Sequence, residues 1–309
     1  MKLSITLSAV LYFSAASARG DTYALVIGVN EVPAYHLADD AAPRSLRGAE
    51  PDARLIADIL QESYRVPQAG LRLLLGREAT LESVRMELGR LAIMARPTDT
   101  IVIHFSGHGT QRPDALPFDE ADDLDEALCL YDARADGAGL LLDDELGRLL
   151  EAISADDVIV VLDCCHAGTG IKDDDGIVPR FLPQTAPGRS APAKPERPWR
   201  EVQSTNKSLK RQTTAFFACR PEQQAYERRL PGTTDRVGQF SHYFWTGLRD
   251  GTADADNDGL VSRGEAIKFA AKRLDEAFNV SRSEASSRQT PIWEGEHPEL
   301  PFLSLGKPQ

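Results

Sequence analysis

Residues 100–109 read TIVIHFSGHG, and residues 157–168 read DVIVVLDCCHAG. Each stretch begins with a continuous run of mostly β-branched and apolar residues and ends in small, polar and reactive ones. Continuous apolar runs are typical of strands in a parallel sheet that is covered on both faces. The two stretches therefore predict two buried parallel strands, at Thr100–Phe105 and Asp157–Leu162.

The same pattern extends along the chain, where short apolar runs alternate with segments whose apolar residues recur at helical spacing. Further strands are predicted at Tyr23–Val29, Leu71–Leu75 and Thr214–Cys219. Helices are predicted at Leu46–Tyr64, Thr80–Ala95, Asp143–Ile153, Phe240–Leu248 and Glu265–Phe278. This alternation predicts an α/β fold, a three-layer α/β/α sandwich with a mainly parallel central sheet.

The first 18 residues have the pattern of a signal peptide. Lys2 supplies a positive charge, Leu3–Ala16 is an apolar run of signal-peptide length, and Ala16-Ser17-Ala18 fits a cleavage site. We therefore expect export, periplasmic or secreted, with a mature chain from Arg19 and no membrane span after the signal is removed. The alternative is a buried first strand or helix.

Charge and cysteine content narrow the classes of partner. The formal net charge is −12, and loss of Lys2 leaves −13. No basic cluster with interleaved aromatic residues is present, so nucleic acid is not an expected partner. An acidic chain attracts calcium or basic peptides, although solubility explains the charge equally well. Of the four cysteines, Cys164 and Cys165 are adjacent, so we expect at least one free thiol.

The chain divides by composition into three parts after the signal peptide. Residues 19–172 form a large region that carries both stretches quoted above. Residues 173–211 contain six prolines and no periodic pattern, which predicts an exposed linker. Residues 212–309 form a smaller region.

The ends of the two quoted strands carry groups that can do chemistry. If the strands are parallel neighbours, His108 faces a cysteine at one edge of the sheet. An imidazole beside a thiol is the minimum for nucleophilic acyl transfer, because the base generates the thiolate and later protonates the leaving amine. Gly107 and Gly109 allow the backbone to aim an amide at a developing oxyanion. Singly, such a histidine is usually a turn residue and a buried cysteine usually packs.

The sequence resembles the caspase–hemoglobinase clan, and within it the metacaspases and bacterial caspase-like peptidases. The resemblance rests on Ser106-Gly107-His108-Gly109 and on the later motif Asp163-Cys164-Cys165-His166-Ala167-Gly168. It extends over nearly the whole mature chain, through Tyr23–Asn30, Leu46–Ala53, Ala218–Pro221, Ala225–Glu227 and Gln289–Pro291. It implies a caspase-hemoglobinase-like fold and cysteine endopeptidase activity.

The resemblance also assigns roles to individual residues. The nucleophile directly precedes the histidine of the second motif, which places it at Cys165, and His108 is its acid/base partner. The amides of Gly109 and Cys165 are the expected oxyanion donors. His166 is expected to be structural or solvent-facing, and His104 to be a packing or hydrogen-bonded residue.

Specificity follows from the same resemblance. Clan members that cut after aspartate carry Arg and Gln where this chain has Leu46 and Asp163. In metacaspases, acidic residues matching Asp52 and Asp163 line the first specificity pocket, and Ser106 is a further candidate substrate-binding residue. The resemblance therefore implies substrates with Arg or Lys at the cleavage site. Ala49 stands where metacaspases often have Cys, and a helix-surface carboxylate is the alternative for Asp52.

A calcium-binding loop is predicted at residues 254–265, which match the twelve-residue EF-hand pattern. The helices predicted at Phe240–Leu248 and Glu265–Phe278 flank it. The expected ligands are Asp254, Asp256, Asp258, Leu260 through its carbonyl, Ser262 and Glu265. The alternative is an Asx-rich loop that caps the following helix.

A second calcium site is implied by the resemblance alone, because many metacaspases bind calcium through aspartates near the active site. The candidates are Asp123, Asp143, Asp144 and Asp173. A solvated acidic loop is the alternative.

These features together predict an exported cysteine endopeptidase that responds to calcium and cleaves its own linker. That linker holds Arg180, Arg189, Lys194, Arg197, Arg200, Lys207, Lys210 and Arg211. The alternatives are a catalytically silent calcium-binding scaffold and a peptide ligase that uses the same dyad.

Overall fold

The structure is a computed structural model, and it describes residues 20–35, 45–113, 124–165, 177–183, 212–229, 235–277, 279 and 288–303. The predicted signal peptide, residues 1–18, lies outside the described residues, as does most of the predicted linker. Within the described part, no helix combines the length and the apolar character needed to cross a membrane.

Strands and helices alternate along the described residues. The strands are β1 (Thr22–Gly28), β2 (Leu71–Leu75), β3 (Thr100–Ser106), β4 (Gly109–Pro113), β5 (Leu124–Cys129), β6 (Leu140–Leu142), β7 (Asp157–Asp163), β8 (Val178–Pro179), β9 (Gln212–Phe217), β10 (Tyr226–Arg229), β11 (Arg236–Gly238) and β12 (Ile292–Glu294). The helices are α1 (Ala49–Glu62), α2 (Leu81–Met94), α3 (Asp143–Glu151), α4 (Gln239–Arg249) and α5 (Arg263–Ala277). Every predicted strand and helix is present.

The central sheet has six strands in the order β12-β9-β7-β3-β1-β2. Five of these strands, β9, β7, β3, β1 and β2, are parallel, and β12 pairs with β9 in the antiparallel direction. β3 and β7 are direct neighbours, with Ser106 opposite Asp163 at their carboxyl ends. The predicted mainly parallel sheet is confirmed, and both quoted motifs follow the same edge of it.

Two separate cores cover the two faces of this sheet. Along β1, Ala24 and Val26 belong to one core, and Leu25 and Ile27 to the other, because successive side chains of a strand point to opposite faces. The first core includes residues of α1, α4 and α5, and the second includes residues of α2 and α3. The predicted three-layer sandwich is therefore confirmed.

The large and small regions share the central sheet, because β9 and β12 come from the C-terminal region. A buried arginine of α5, Arg263, reinforces this junction. Its guanidinium donates to both carboxylate oxygens of Asp157 on β7, at 2.6 and 2.8 Å, and to Thr214 Oγ1 on β9 at 2.8 Å. The exact division between the regions stays a prediction.

The described residues also form two small sheets, which were not predicted. One has the order β4-β5-β6 and the other β11-β10-β8. Several of these strands are very short, and β8 has only two residues. Strands of this length carry too few residues to show an alternating pattern.

Of residues 173–211 the structure describes residues 177–183, which we name the covering segment, and the predicted exposure is wrong for Val178, Arg180 and Leu182. Arg180 is 0% exposed and Leu182 is 2% exposed. Main-chain bonds to distant residues hold the segment: Arg180 N–H donates to the Ala225 carbonyl and Leu182 N–H to the Gly109 carbonyl, both at 2.9 Å. Burial of this kind leaves no hydrophobic period in the sequence.

Candidate active site

Cys165 and His108 follow the same edge of the sheet, because each lies two residues beyond the end of its strand. β7 ends at Asp163 and β3 ends at Ser106, and these two residues are paired. The amide of Gly107 donates to the Asp163 carbonyl at 3.3 Å, which fixes one turn against the other. The structure thus brings the two predicted catalytic residues to one place.

One carbonyl oxygen lies between the two turns, and it belongs to Arg180 of the covering segment. The amide of Gly109 donates to it at 2.9 Å, and the amide of Cys165 donates to it at 3.2 Å. These are the two amides expected to stabilise an oxyanion. A peptide carbonyl held in this way is polarised toward nucleophilic attack.

The Cys165 side chain is covered in this arrangement. It is 1% exposed, and its sulfur donates to the Ala225 carbonyl at 3.8 Å. Burial raises the pKa of the Cys165 thiol to about 12, and the charge of Asp163 acts in the same direction, while the bond to Ala225 and the charge of Arg180 lower it. The thiol is therefore neutral at physiological pH while the segment lies over it.

The guanidinium of Arg180 occupies a buried acidic cavity, which we name the arginine pocket, formed by Asp52, Ser106, Asp163 and Gly238. One terminal nitrogen, Nη2, contacts Asp52 Oδ2 at 2.7 Å. The other, Nη1, contacts Asp163 Oδ2 at 3.2 Å and donates to Ser106 Oγ. The three predicted substrate-binding residues therefore converge on one side chain.

Main-chain amides complete the pocket at the start of α4. The amide of Gly238 donates to Asp52 Oδ2 at 2.8 Å, and the amide of Ser241 donates to Asp163 Oδ2 at 3.0 Å. A Cβ atom at Gly238 would lie 2.6 Å from the central carbon of the Arg180 guanidinium. Only glycine at this position leaves room for a guanidinium.

Burial and charge act against each other in the pocket. Burial raises the pKa of Asp52 to about 7, with Arg180 lowering it and Asp163 raising it. Burial alone would lower the pKa of Arg180, but the charges of Asp163, Asp52 and Glu227 outweigh it and raise that pKa. Arg180 is thus held in its charged form.

Sequence reasoning missed Arg180 as an occupant and Glu227 as a third buried carboxylate. Glu227 Oε2 accepts from the amide of Gly48 at 2.8 Å and from that of Arg47 at 3.0 Å, just before α1. A charged residue with no exposed surface is costly unless it is paired. Glu227 is the last residue of the quoted stretch Ala225–Glu227, but no local pattern distinguishes it from an exposed carboxylate on a short strand.

Residues 21–301 match the profile of the Peptidase_C14 family, described as the caspase domain. The chain belongs to this family. The predicted relationship to caspase-like peptidases is therefore confirmed.

Individual relatives agree with this assignment. Metacaspase-1B of Aspergillus fumigatus is 29% identical over 167 residues, which are 52% of this chain and 38% of that protein. Metacaspase-3 of Arabidopsis thaliana is 33% identical over 133 residues, 40% of this chain and 36% of that protein. The matches thus span well under half the length of these relatives.

A crystal structure of a Geobacter sulfurreducens protein supports the fold alone. It has a TM-score of 0.61 and 22% sequence identity, and the match covers 93% of this chain and 100% of that one.

Two further residues of the quoted motifs, His104 and Cys164, are buried in the cores rather than aligned with the covering segment. His104 is buried on β3, with its ring edge-on to Trp245 and centroids 5.8 Å apart, and burial lowers its pKa to about 3. Cys164 packs in the core opposite to that of Cys165. All four cysteines are buried and unbridged, and His166 lies outside the described residues.

The predicted EF-hand-like loop joins α4 to α5. Carboxylate oxygens of Asp254, Asp256 and Glu265 lie within 4.8 Å of one another. Gly259 has φ +87°, the left-handed backbone that a glycine at the sixth loop position provides. Hydrogen bonds from the Ser262 hydroxyl and amide lower the pKa of Glu265 to about 2, so this carboxylate is ionised.

The remaining predicted ligands of this loop do not belong to that group of three. Asp258 Oδ1 accepts from the amide of Leu260 at 2.8 Å, and the Ser262 hydroxyl donates to Glu265 Oε2 at 2.7 Å. These bonds also fit the alternative reading, an Asx-rich loop that caps the next helix. The three converged carboxylates are oxygen ligands of the type that calcium takes, and calcium binding here stays a prediction.

The predicted second calcium site is only partly described. Asp143 and Asp144 begin α3, whereas Asp123 and Asp173 lie outside the described residues. Burial raises the pKa of Asp143 to about 7, and the charge of Glu126 on β5 acts in the same direction. Negative charge is therefore concentrated here, and the site stays a prediction.

The burial of Cys165 predicts that the covering segment limits its reactivity. In Arg180→Ala the pocket loses its cation and the segment loses its side-chain contacts. We expect iodoacetamide to alkylate Cys165 at least about tenfold faster, because the reagent gains access to the sulfur. The rate is measured by peptide mass spectrometry, in a His108→Ala background so that the imidazole does not set the ionisation of the thiol.

Arg229→Ala is the matched control, since Arg229 is an exposed arginine at the end of β10. Cys129, which is 0% exposed, is the internal standard for global unfolding. Equal alkylation of Cys165 in the Arg180→Ala and Arg229→Ala proteins would show that the segment does not shield it.

Proposed function

We propose that the protein is a cysteine endopeptidase that hydrolyses peptide bonds after arginine, and less efficiently after lysine, with Cys165 as nucleophile and His108 as its acid/base partner. One observation carries the proposal: Arg180 places its side chain in the arginine pocket and its carbonyl oxygen on the amides of Gly109 and Cys165. A substrate arginine bound in the same way would have its carbonyl oxygen on both expected oxyanion donors.

The reaction follows from these positions. His108 takes the proton of the Cys165 thiol, and the sulfur attacks the carbonyl carbon of the residue in the pocket. The amides of Gly109 and Cys165 stabilise the negative charge on the carbonyl oxygen. The C–N bond breaks as His108 gives its proton to the leaving amine. Water then hydrolyses the thioester, which releases a carboxylate and regenerates the thiol.

The preference for arginine over lysine has a geometric reason. Asp52 and Asp163 contact different terminal nitrogens of the guanidinium, and Ser106 shares one of them. A planar guanidinium offers donors in a fixed fork, whereas an ammonium is a single point charge. A lysine in the same pocket leaves one carboxylate without a direct cationic partner.

Self-processing follows from the same observation, since the occupant of the site is part of the chain. The bond after the pocket residue is Arg180–Phe181. We propose that it is the first bond the enzyme cleaves, and that the uncleaved chain is inhibited because its own segment fills the site. The resulting fragments stay associated, because the central sheet contains strands from both.

Self-cleavage is tested on the purified chain by N-terminal sequencing. We expect a C-terminal fragment that begins at Phe181. Cys165→Ala and His108→Ala should slow its appearance by at least about a thousandfold, because the two residues act as a unit. Cys164→Ala should retain most of the rate, since Cys164 packs in the opposite core.

Two arginines of the predicted linker test whether cleavage depends on occupancy of the arginine pocket or only on an arginine in the linker. Arg180→Ala should abolish the Phe181 terminus, and Arg189→Ala is its matched control. Fragments that form equally in the Cys165→Ala chain, or that begin after residues other than Arg or Lys, would refute the proposal.

The raised pKa of Asp52 predicts how binding in the pocket varies with pH. A carboxyl with a pKa of about 7 is mostly neutral at pH 6 and mostly charged at pH 8. A guanidinium favours the charged form, so agmatine should inhibit the self-cleaved enzyme more tightly at pH 8 than at pH 6. The inhibition constant is measured with an Arg-containing peptide substrate.

Asp52→Asn should bind agmatine weakly at both pH values, because the amide carries no charge. Glu50→Gln, in the same first turn of α1, is the control and should keep the dependence. If the wild-type inhibition constant does not change between pH 6 and 8, Asp52 does not titrate in the pocket as proposed.

Calcium binding at residues 254–265 is a further part of the proposal, supported by the convergence of Asp254, Asp256 and Glu265. Glu265→Gln should weaken calcium binding about tenfold or more, because it removes the charge of the last loop ligand. Isothermal titration of the Cys165→Ala chain measures this, with Glu276→Gln on the same helix as control. Equal affinity in the two variants would exclude the loop as the site.

Export and calcium-dependent activity complete the proposal. Export is supported by the sequence of residues 1–18, and added calcium is expected to speed the self-cleavage. Substrates of the mature enzyme are peptides or proteins with an accessible arginine or lysine.

A further inference from the structure

The covering segment continues past Arg180, and its next three residues also make defined contacts with buried parts of the protein. Phe181 bridges Gly109 in the parallel direction, and the amide of Leu182 donates to the Gly109 carbonyl at 2.9 Å. The chain after the scissile bond therefore lies along the start of β4 as an added strand.

Two buried hydroxyl groups bind the carbonyls of this strand. Thr110 Oγ1 donates to the Leu182 carbonyl at 2.7 Å, and Tyr35 Oη donates to the Pro183 carbonyl at 3.1 Å. The two hydroxyl oxygens lie 3.4 Å apart. Thr110 is 0% exposed and Tyr35 is 1% exposed, so each hydroxyl is positioned with little freedom.

The side chain of Leu182 is enclosed as well. It is 2% exposed and belongs to the core that also contains Tyr35, Leu128 and Cys164. A leucine side chain transferred from water into such surroundings gains free energy in proportion to the apolar area it buries. A charged side chain at the same place would lose its hydration without gaining a partner.

We propose that Tyr35 and Thr110 form a subsite for the leaving side of the substrate. This subsite takes an apolar residue at the second position after the scissile bond and binds the carbonyls of the second and third positions. The proposal rests on the proposed function, and it extends the specificity of the enzyme from one residue to both sides of the cut bond.

The subsite has a consequence for which substrates are cleaved well. A substrate that ends directly after the first leaving residue makes none of the contacts to Tyr35 or Thr110, so it forfeits binding energy that orients the scissile carbonyl. Extension by two residues should raise kcat/KM, and the gain should depend on the identity of the first of them.

The test compares peptides that differ only after the arginine, with the self-cleaved wild-type enzyme and chromatographic detection of products. Val-Pro-Arg-Phe-Leu-Pro-amide should have a kcat/KM at least about tenfold above Val-Pro-Arg-Phe-amide. Replacement of its Leu by Ala should lower kcat/KM about tenfold, and replacement by Asp should lower it further. All the peptides meet the same enzyme, so any competition from its own segment is common to them.

Variants test whether the gain in kcat/KM of the long peptide depends on the two hydroxyl groups. Tyr35→Phe and Thr110→Val should each reduce the ratio of kcat/KM between the long and the short peptide severalfold, while Thr110→Ser should restore most of it. Tyr64→Phe, a buried tyrosine in the core on the other face of the sheet, is the matched control and should leave the ratio as in the wild type. If Thr110→Val fails to fold, Tyr35→Phe alone decides the question.

The outcomes separate the two proposals. Cleavage after arginine with equal kcat/KM for all four peptides, or an unchanged ratio in Tyr35→Phe, would overturn the leaving-side subsite and leave the proposed function intact. Failure to cleave any of the peptides after arginine would overturn the proposed function and the subsite with it.

Discussion

A guanidinium group with no exposed surface lies between two buried carboxylates at the edge of the central sheet, and the rest of the site is arranged around it. Removing an ion from water costs several kcal/mol even after the protein relaxes. Asp52 and Asp163 offset this cost for Arg180, and Arg180 offsets it for them. The contacts come from α1, β7 and the covering segment, so one ion-pair cluster joins parts of the chain that lie far apart in sequence.

The same cluster fixes the position of the peptide bond that follows it. The side chain of Arg180 is held in the pocket, and its carbonyl oxygen is held by the amides of Gly109 and Cys165. Two points of attachment leave the carbonyl little freedom to rotate. Precise placement of this kind supplies part of the rate of an enzyme, because the entropy of alignment is lost on binding rather than in the transition state.

The sequence predicted the framework of the site but not its occupant. Continuous apolar runs identified β3 and β7, and the motifs that follow them identified His108 and Cys165 at the correct edge. The pairing of Asp52 with Asp163 came from a family resemblance and agrees with the geometry. The burial of Arg180 had no sequence signal, because it depends on two carboxylates and two amides that are distant along the chain. From the sequence alone, an arginine among prolines is predicted to be an exposed linker residue, and only the fold shows its partners.

The pocket contains two carboxylates, so it favours some positive charge at all times. A proton on Asp52, the chain's own arginine and the arginine of a substrate compete for it. In the proposed function, Arg180 is tethered on both sides before cleavage, which gives it a high effective concentration at the site compared with a substrate in solution. Cleavage of the Arg180–Phe181 bond removes one tether, and each new end is then held only by its own contacts. A substrate with residues on both sides of its arginine then makes more contacts than either cleaved end, and the competition shifts toward it.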